Sequence, residues 1–327
     1  MIISRAPVRL SMGGGGTDLP SYYENHGGFL MAATINKYIY IMLNKRFYTS
    51  IRLSYSKTEI VDHVDQIEHP IFREALRHAG IDKQIELVSV ADIPAHCGLG
   101  TSSAFTVALL NTLYNYKKEH RSVGDLAETA YHLERNILKQ PVGKQDHYTA
   151  SFGGFRAYWF SQDGTVHTEP VQIREEKLME LQNNILLFHL GKERPANAIL
   201  EIQDKKSGQN DKGTLDRLHK IKEIGLRTKK IFESGNLDEF GELLHEHWCT
   251  KKGLSEGVSE PFIDEVYDVA RKNGAAGGKI VGAGGGGFML LYCSGVKSKL
   301  LSALEKMSLS PMWFGFEEEG VEIVFHG

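Results

Sequence analysis

The sequence has little cysteine, and what it has builds no site. Cys97, Cys249 and Cys293 are the only three in 327 residues and lie far apart, with no CxxC or Cys/His ligand spacing. A disulfide framework and a zinc site are therefore excluded as organising features. Long apolar runs are missing too. Phe288–Cys293 is one of the longest, far short of the roughly 20 residues of a membrane-spanning helix. The N-terminal Met1-Ile2-Ile3-Ser4-Arg5-Ala6-Pro7 has no apolar core or cleavage pattern of a secretory signal, so a cytoplasmic protein without a membrane partner is expected. Nor is there an excess of one charge. With 38 basic and 41 acidic residues the net charge is −3, and no nucleic-acid partner is expected. Internal repeats and low-complexity segments are absent.

What the chain has in excess is glycine, 34 of 327 residues, about a tenth against a usual 7% or so. The length suits two domains. Apolar and aromatic runs at Phe29–Ile35 and Tyr38–Phe47 read as strands split by Asn36-Lys37, and Ile85–Ile93 as another. Phe105, Ala108, Leu109, Thr112, Leu113 and Tyr116 share one face of a helix. Ser122 opens a second helix with Asp125 three residues on, and Pro141 and Gly143 end it. Phe155–Phe160, Ile185–Leu190 and Val321–Phe325 read as strands. Residues 195–248 read as charged helix interrupted near Ser207–Asn210, and Pro261–Asn273 as a further helix. Without a clean strand–helix alternation, the expected class is α+β rather than a doubly wound sheet.

The glycines gather in three clusters: Gly13-Gly14-Gly15-Gly16-Thr17-Asp18, Gly98-Leu99-Gly100-Thr101-Ser102-Ser103, and Gly282-Ala283-Gly284-Gly285-Gly286-Gly287. The middle one lies between a strand and an apolar helix. Glycine turns backbone N–H groups toward an anion, the helix N-terminus adds partial positive charge, and hydroxyls in the first turn can bond phosphate oxygens or Mg²⁺. A plain helix start would use the same residue types. Known phosphate motifs do not fit. Gly278-Lys279 has Asn273 where a P-loop needs its first glycine, and Ile280 where it needs Ser or Thr. Gly282-x-Gly284-x-x-Gly287 has the letters of a dinucleotide fingerprint but runs into a strand, Phe288–Tyr292, instead of a helix. Protein-kinase motifs are absent.

Pro94-x-x-x-Gly98-Leu99-Gly100-Thr101-Ser102-Ser103-Ala104 resembles the ATP-binding motif of the GHMP kinases, the superfamily of galactokinase, homoserine kinase, mevalonate kinase and phosphomevalonate kinase. Arg5-Ala6-Pro7-Val8-Arg9 through Asp18 resembles the sugar-kinase form of that family's first motif, and Lys279 through Gly287 its third. The three occur in order and cover nearly the whole chain. The resemblance implies a two-domain GHMP kinase fold: an N-terminal ATP-binding α+β domain over 1–180 with a left-handed βαβ crossover, and a ferredoxin-like α+β domain over 181–327. ATP and substrate would lie in the cleft between them.

The same resemblance implies roles. Gly98, Leu99, Gly100, Thr101, Ser102 and Ser103 would wrap the ATP phosphates. Ser102 and Glu134 would hold Mg²⁺, although a lone helix Glu is usually a solvated charge. Asp146, at the end of Pro141-Val142-Gly143-Lys144-Gln145-Asp146, would be the base that takes or orients the proton of the attacking hydroxyl. Arg9 would lie near that hydroxyl and stabilise transferred charge. Gly14, Gly15, Gly16, Thr17 and Asp18 would bind the sugar, with Gly285 and Gly286 lining the cleft from the other side. His245 and His247, two apart on a helix, read as no metal site, and Trp159, Trp313 and Phe314 as core.

Within the family, Gly14-Gly15-Gly16 departs from the galactokinase Gly-Glu-His. The run Gly-Gly-Gly-Thr-Asp-Leu-Pro, with Thr34–Tyr38, Gly143–Asp146 and Gly191–Arg194, is similar to the D-glycero-D-manno-heptose 7-phosphate kinases. That similarity implies phosphorylation of the anomeric C1 hydroxyl of a sugar phosphate. Lys37, Lys192 and Arg194 are candidates for the distal phosphate, with Lys139, Lys144 and Arg156 behind them. A homodimer is the candidate assembly. Three rivals remain open at this point: a kinase for free fucose, galactose or a uronic acid, a non-catalytic binder on the same fold, and a decarboxylase of the mevalonate branch. The second would be expected to lose Glu134 or Asp146, and the sugar-type first motif opposes the third.

Overall fold

The protein's structure is a computed structural model, and it describes residues 1–191 and 197–327. The N-terminal half gives β1 (Ile2–Gly13), α1 (Pro20–His26), β2 (Gly28–Lys45), β3 (Ile51–Ser54), β4 (Thr58–Val61), α2 (Pro70–Ala79), β5 (Ile85–Ala91), α3 (Thr101–Tyr116), α4 (Val123–Tyr131), α5 (Gln145–Phe152), β6 (Phe155–Phe160) and β7 (Val166–Pro170). The C-terminal half adds α6 (Glu175–Asn184), β8 (Ile185–His189), α7 (Asn197–Gly208), α8 (Lys212–Ser234), α9 (Phe240–Lys252), α10 (Pro261–Lys272), β9 (Gly277–Ile280), β10 (Phe288–Tyr292), α11 (Lys297–Glu305), β11 (Pro311–Met312), β12 (Phe316–Glu317) and β13 (Glu322–His326).

Two sheets organise these elements. The larger runs β13-β1-β2-β5-β3-β4, with β12 and β6 also on β2 and β7 beyond β6. The smaller runs β11-β8-β10-β9. β1 alternates Ala6, Val8, Leu10 and Met12 into the core. α3 packs on β1 and β2 and is buried almost all round, as a helix inside the core must be apolar on every face. β12 and β13 carry the chain back to the first sheet: Phe316 pairs with Ile35, and Ile2 with His326.

The strand break expected at Asn36-Lys37 does not occur. β2 is one strand of 18 residues. Pro7 pairs with Tyr38 and the next residue, Val8, with Ile35, so Asn36 and Lys37 bulge out of the ladder. The bulge lets β2 pair with β5 beyond it and with β6 before it. The second helix begins at Ser122, whose side chain accepts from Asp125 N, and runs into a π-helical segment, His132–Ile137. Trp313 is exposed and not core.

Candidate active site

One cleft is lined by all three glycine clusters. α3 begins at Thr101 behind Gly100, which adopts φ +79° as the N-cap. No side chain caps this end and its first turn holds no acidic residue. The first N–H groups of an α-helix have no intrahelical acceptor. The N–H groups of Thr101, Ser102 and Ser103 and the helix dipole therefore face the cleft as an anion site.

Arg9 on β1 stands beside this loop. Its Nε donates to Asp146 Oδ1 at 2.7 Å, its second terminal nitrogen lies 2.6 Å from the same oxygen, and the first donates to the Gly98 carbonyl at 2.7 Å. Asp146 sits in the first turn of α5, directly after the loop that holds Gly143. The helix starts there because Asp18 caps it from afar: Gln145 N donates to Asp18 Oδ2 at 3.0 Å, while Gln145 Nε2 and Gly16 N donate to Oδ1 at 3.1 Å each. Gly143 is required for this clamp, since a Cβ there would lie 2.0 Å from Asp18 Oδ2. Burial pushes the Asp18 carboxyl above its ordinary range, the backbone N–H of Gln145 opposes that, and the charge of Asp146 adds to it.

Glu134 projects from the π-helical segment, a rare local geometry that recurs at functional sites. It is fully buried. Thr106 Oγ1 donates to its Oε1 at 2.5 Å, Ser102 Oγ to Oε2 at 3.5 Å, and His147 Nε2 lies 3.4 Å away. Among the described residues no group of three or more His, Cys, Asp or Glu side chains could hold a metal. One buried carboxylate and a hydroxyl at an uncapped helix start are nevertheless a donor set that fits Mg²⁺, which usually takes one or two carboxylates and completes its shell with phosphate oxygens and water.

The C-terminal half closes the other side. A Cβ on Gly98 would lie 2.3 Å from the Val281 carbonyl oxygen, and one on Gly282 would lie 2.6 Å from Gly98 Cα. The second and third clusters thus meet backbone to backbone, and glycine at 98 and 282 permits it. Behind that contact lie Lys251, which the sequence reading passed over, His247, read there only as no metal ligand, and Lys279, read there only as the start of the third motif. Lys251 Nζ donates to the carbonyls of Ile280, at 3.0 Å, and Gly282. Lys279 Nζ lies 3.3 Å from His247 Nδ1. All three are buried and line the cleft. Burial, then Arg9, pushes Lys251 down to about 7. Burial, then Lys251 and Arg9, pushes Lys279 well below its ordinary value. Burial, then Lys279 and Lys251, does the same to His247. A signal for them exists in the sequence: Leu244, His247, Trp248 and Lys251 recur at helical spacing on one buried face of α9, and Lys279 interrupts the apolar strand Gly277–Ile280.

The cleft also brings together Gly15, Gly16, Asp18 and Gly286. Several expected residues are elsewhere. Leu99 is core, used through its carbonyl, which accepts from Arg9 N at 3.0 Å. Gly14 packs on the Phe29 carbonyl, and Thr17 turns its hydroxyl inward, 2.8 Å from the carbonyls of Gly14 and Phe29. Gly285 is spent on a backbone bond to Val258. Lys37 sits in the β2 bulge, off the cleft wall. Lys144 is buried against Glu128 and the Gly164 carbonyl, Arg156 bonds the Gly153 carbonyl, and Lys139 is not on the cleft wall. Lys192 and Arg194 lie outside the described residues. Two orphaned atoms, Ser11 Oγ and Gln145 Oε1, are buried without a hydrogen-bond partner among the described residues. They converge on Gly15, 3.0 and 3.7 Å from where its Cβ would be.

Comparison with known proteins agrees with this geometry. The family model for the GHMP kinases N terminal domain matches residues 66–154, and that for GHMP kinases C terminal matches 228–307. The chain is 30% identical to D-glycero-alpha-D-manno-heptose 7-phosphate kinase of Campylobacter jejuni, over 98% of both. It is 26% identical to L-fucokinase/L-fucose-1-P guanylyltransferase of Bacteroides fragilis, over 89% of this chain and 34% of that protein. Among solved structures, a D-glycero-D-manno-heptose 1-phosphate kinase from Bacteroides thetaiotaomicron superposes with a TM-score of 0.82 at 26% identity, covering 100% of both chains. Three glycine loops meeting in one cleft, and matches that span the chain end to end, agree: this protein belongs to the GHMP kinases and is a phosphotransferase with an alcohol group as acceptor.

Proposed function

We propose that this protein is an ATP- and Mg²⁺-dependent kinase that phosphorylates the anomeric C1 hydroxyl of D-glycero-D-manno-heptose 7-phosphate. The product would be heptose 1,7-bisphosphate, made in the cytoplasm on the way to nucleotide-activated heptose for surface polysaccharide. The observation that carries the chemistry is the Arg9–Asp146 pair beside the open N-terminus of α3. The match to a heptose 7-phosphate kinase over nearly the full length of both proteins supports the substrate class.

In this reading the C1 hydroxyl oxygen attacks the γ-phosphorus of ATP. The bond from that phosphorus to the β–γ bridging oxygen breaks, ADP leaves, and the hydroxyl proton passes to Asp146. Arg9 fixes the carboxylate by holding Oδ1 through two nitrogens. The N–H groups of Thr101, Ser102 and Ser103 take phosphate oxygens. Ser102 and Glu134 would hold Mg²⁺, which supplies charge neutralisation on the phosphates. Gly15, Gly16 and Asp18 shape the sugar side, where Ser11 Oγ and Gln145 Oε1 are free to bond sugar hydroxyls.

The fucokinase relative makes a free-sugar kinase the second reading. A ³¹P NMR assay with Mg-ATP and heptose 7-phosphate, mannose 6-phosphate, mannose, galactose and fucose separates the two. A new anomeric phosphate signal with heptose 7-phosphate alone, lost in Asp146→Asn, is the expected result. Turnover of a free sugar in its place would overturn the substrate assignment while keeping the kinase.

A further inference from the structure

The described charges on the cleft wall do not pair off evenly. Its cations are Arg9, Lys251 and Lys279, and its carboxylates are Asp18, Glu134 and Asp146. Arg9 is matched to Asp146. Asp18 is spent on N–H donors and Glu134 on hydroxyls. Lys251 and Lys279 are left with carbonyls and a histidine nitrogen, and no carboxylate contacts either among the described residues. Lysine is rarely buried without a partner of opposite charge. Here two are buried together beside a third cation, which is unfavourable for the protein alone. Such an arrangement is kept where a ligand supplies the missing charge, and stability is given up at sites built for binding.

We infer that Lys251 and Lys279, with His247 holding the second, form a phosphate subsite in the floor of this cleft. The ligand chemistry is a phosphate dianion, either the transferring phosphoryl group of ATP or the distal phosphate of the sugar. The contact of Gly282 with Gly98 puts the subsite against the phosphate loop. The lowered proton affinities of both lysines agree with a site whose counter-charge arrives with the ligand. The sugar-phosphate arm rests on the function proposed above, and the nucleotide arm does not.

The test is calorimetric binding of two ligand pairs: a non-hydrolysable ATP analogue against adenosine, and heptose 7-phosphate against the free heptose. Wild type is compared with Lys251→Met, Lys279→Met and Lys279→Arg, and Tm is measured alongside. In the Met variants the phosphorylated member of at least one pair should lose about tenfold or more in affinity, the scale of a hydrogen bond to a charged group. Its unphosphorylated counterpart should be unaffected. Arginine at 279 should keep most of the binding, and Tm should hold or rise in the Met variants, because an unpaired buried charge has gone. A loss in the nucleotide pair assigns the subsite to the transferring group, and a loss in the sugar pair assigns it to the distal phosphate. Folded Met variants that bind all four ligands like wild type overturn the inference. So does a fall in Tm with phosphate affinity unchanged, which would make the lysines structural. If wild type fails to bind heptose 7-phosphate, the proposed substrate falls, and the nucleotide pair still decides the subsite.

Discussion

Arg9 on β1 and Asp146 on α5, 137 positions apart, are joined through one carboxylate oxygen, with Nε at 2.7 Å and a terminal nitrogen at 2.6 Å. A guanidinium holds one oxygen from two nitrogens in a rigid fork, which an ammonium cannot do. Asp146→Asn should therefore lower kcat by about 10²–10⁴, the range for a general base, with ATP affinity near wild type. Arg9→Lys should lose activity despite keeping its charge. The Arg9→Lys/Asp146→Asn double variant should be much less impaired than the two losses added, because the pair acts as a unit. Steady-state kinetics of the four proteins decides it, and full additivity would mean that the pair is not coupled.

Glu134 offers a prediction that separates metal binding from chemistry. Its carboxylate is buried among Ser102, Thr106 and His147. Glu134→Gln keeps the shape and removes the charge. The Mg²⁺ concentration for half-maximal rate should rise about tenfold or more. A Mg²⁺ titration superimposable on wild type would remove Glu134 from the metal site.

Local chemistry explains how much of this was legible. The start of α3, the cap at Ser122 and the apolar strands follow from residues within a few positions of each other, and so were readable. β2 was not, because Asn36-Lys37 looks like a turn, and only its partner strand shows that both residues bulge from a continuous ladder. α5 was missed because its cap, Asp18, is supplied from the glycine loop after β1. Lys251 was passed over because lysine is read as surface by default, and Lys279 was read only as the start of the third motif. Their burial is decided by helix α9 packing on strand β9, behind the contact of Gly282 with Gly98. Lys37, chosen as a phosphate ligand for its position in a resembling segment, lies in that same bulge and is not among the residues lining the cleft.

The buried lysines also set a pH dependence of stability. Lys251 is pushed down to about 7 in the folded protein from an ordinary 10.5. The groups facing it are Arg9 from β1, Lys279 from β9 and His247 on its own helix. Below pH 7 both folded and unfolded chains hold the Lys251 proton, and the penalty for burying its charge is fully present. Between pH 7 and 10.5 the unfolded chain binds a proton that the folded chain has shed, so stability rises with pH at up to about 1.4 kcal/mol per unit for this group. Lys279 acts in the same direction. Urea unfolding from pH 6 to 9.5 should show a steeper rise for wild type than for Lys251→Met. Parallel profiles would show that Lys251 is not buried as a cation.

The sugar side of the cleft gives the last test. Ser11 Oγ is buried next to Gly15, without a hydrogen-bond partner among the described residues. An unmade hydrogen bond inside a protein is unfavourable, so its removal should leave the ligand-free fold as stable as before or slightly more so. If the hydroxyl bonds the sugar, Ser11→Ala should raise the sugar KM by about tenfold, equivalent to the roughly 1.5 kcal/mol of one such bond. KM for ATP should stay within about twofold, because the phosphate-binding residues proposed above, at the start of α3, do not include Ser11. The split between the two KM values matters more than either size. A rise in both would point to a distorted β1, which also carries Arg9 two residues away, and a rise in neither would take Ser11 out of sugar recognition.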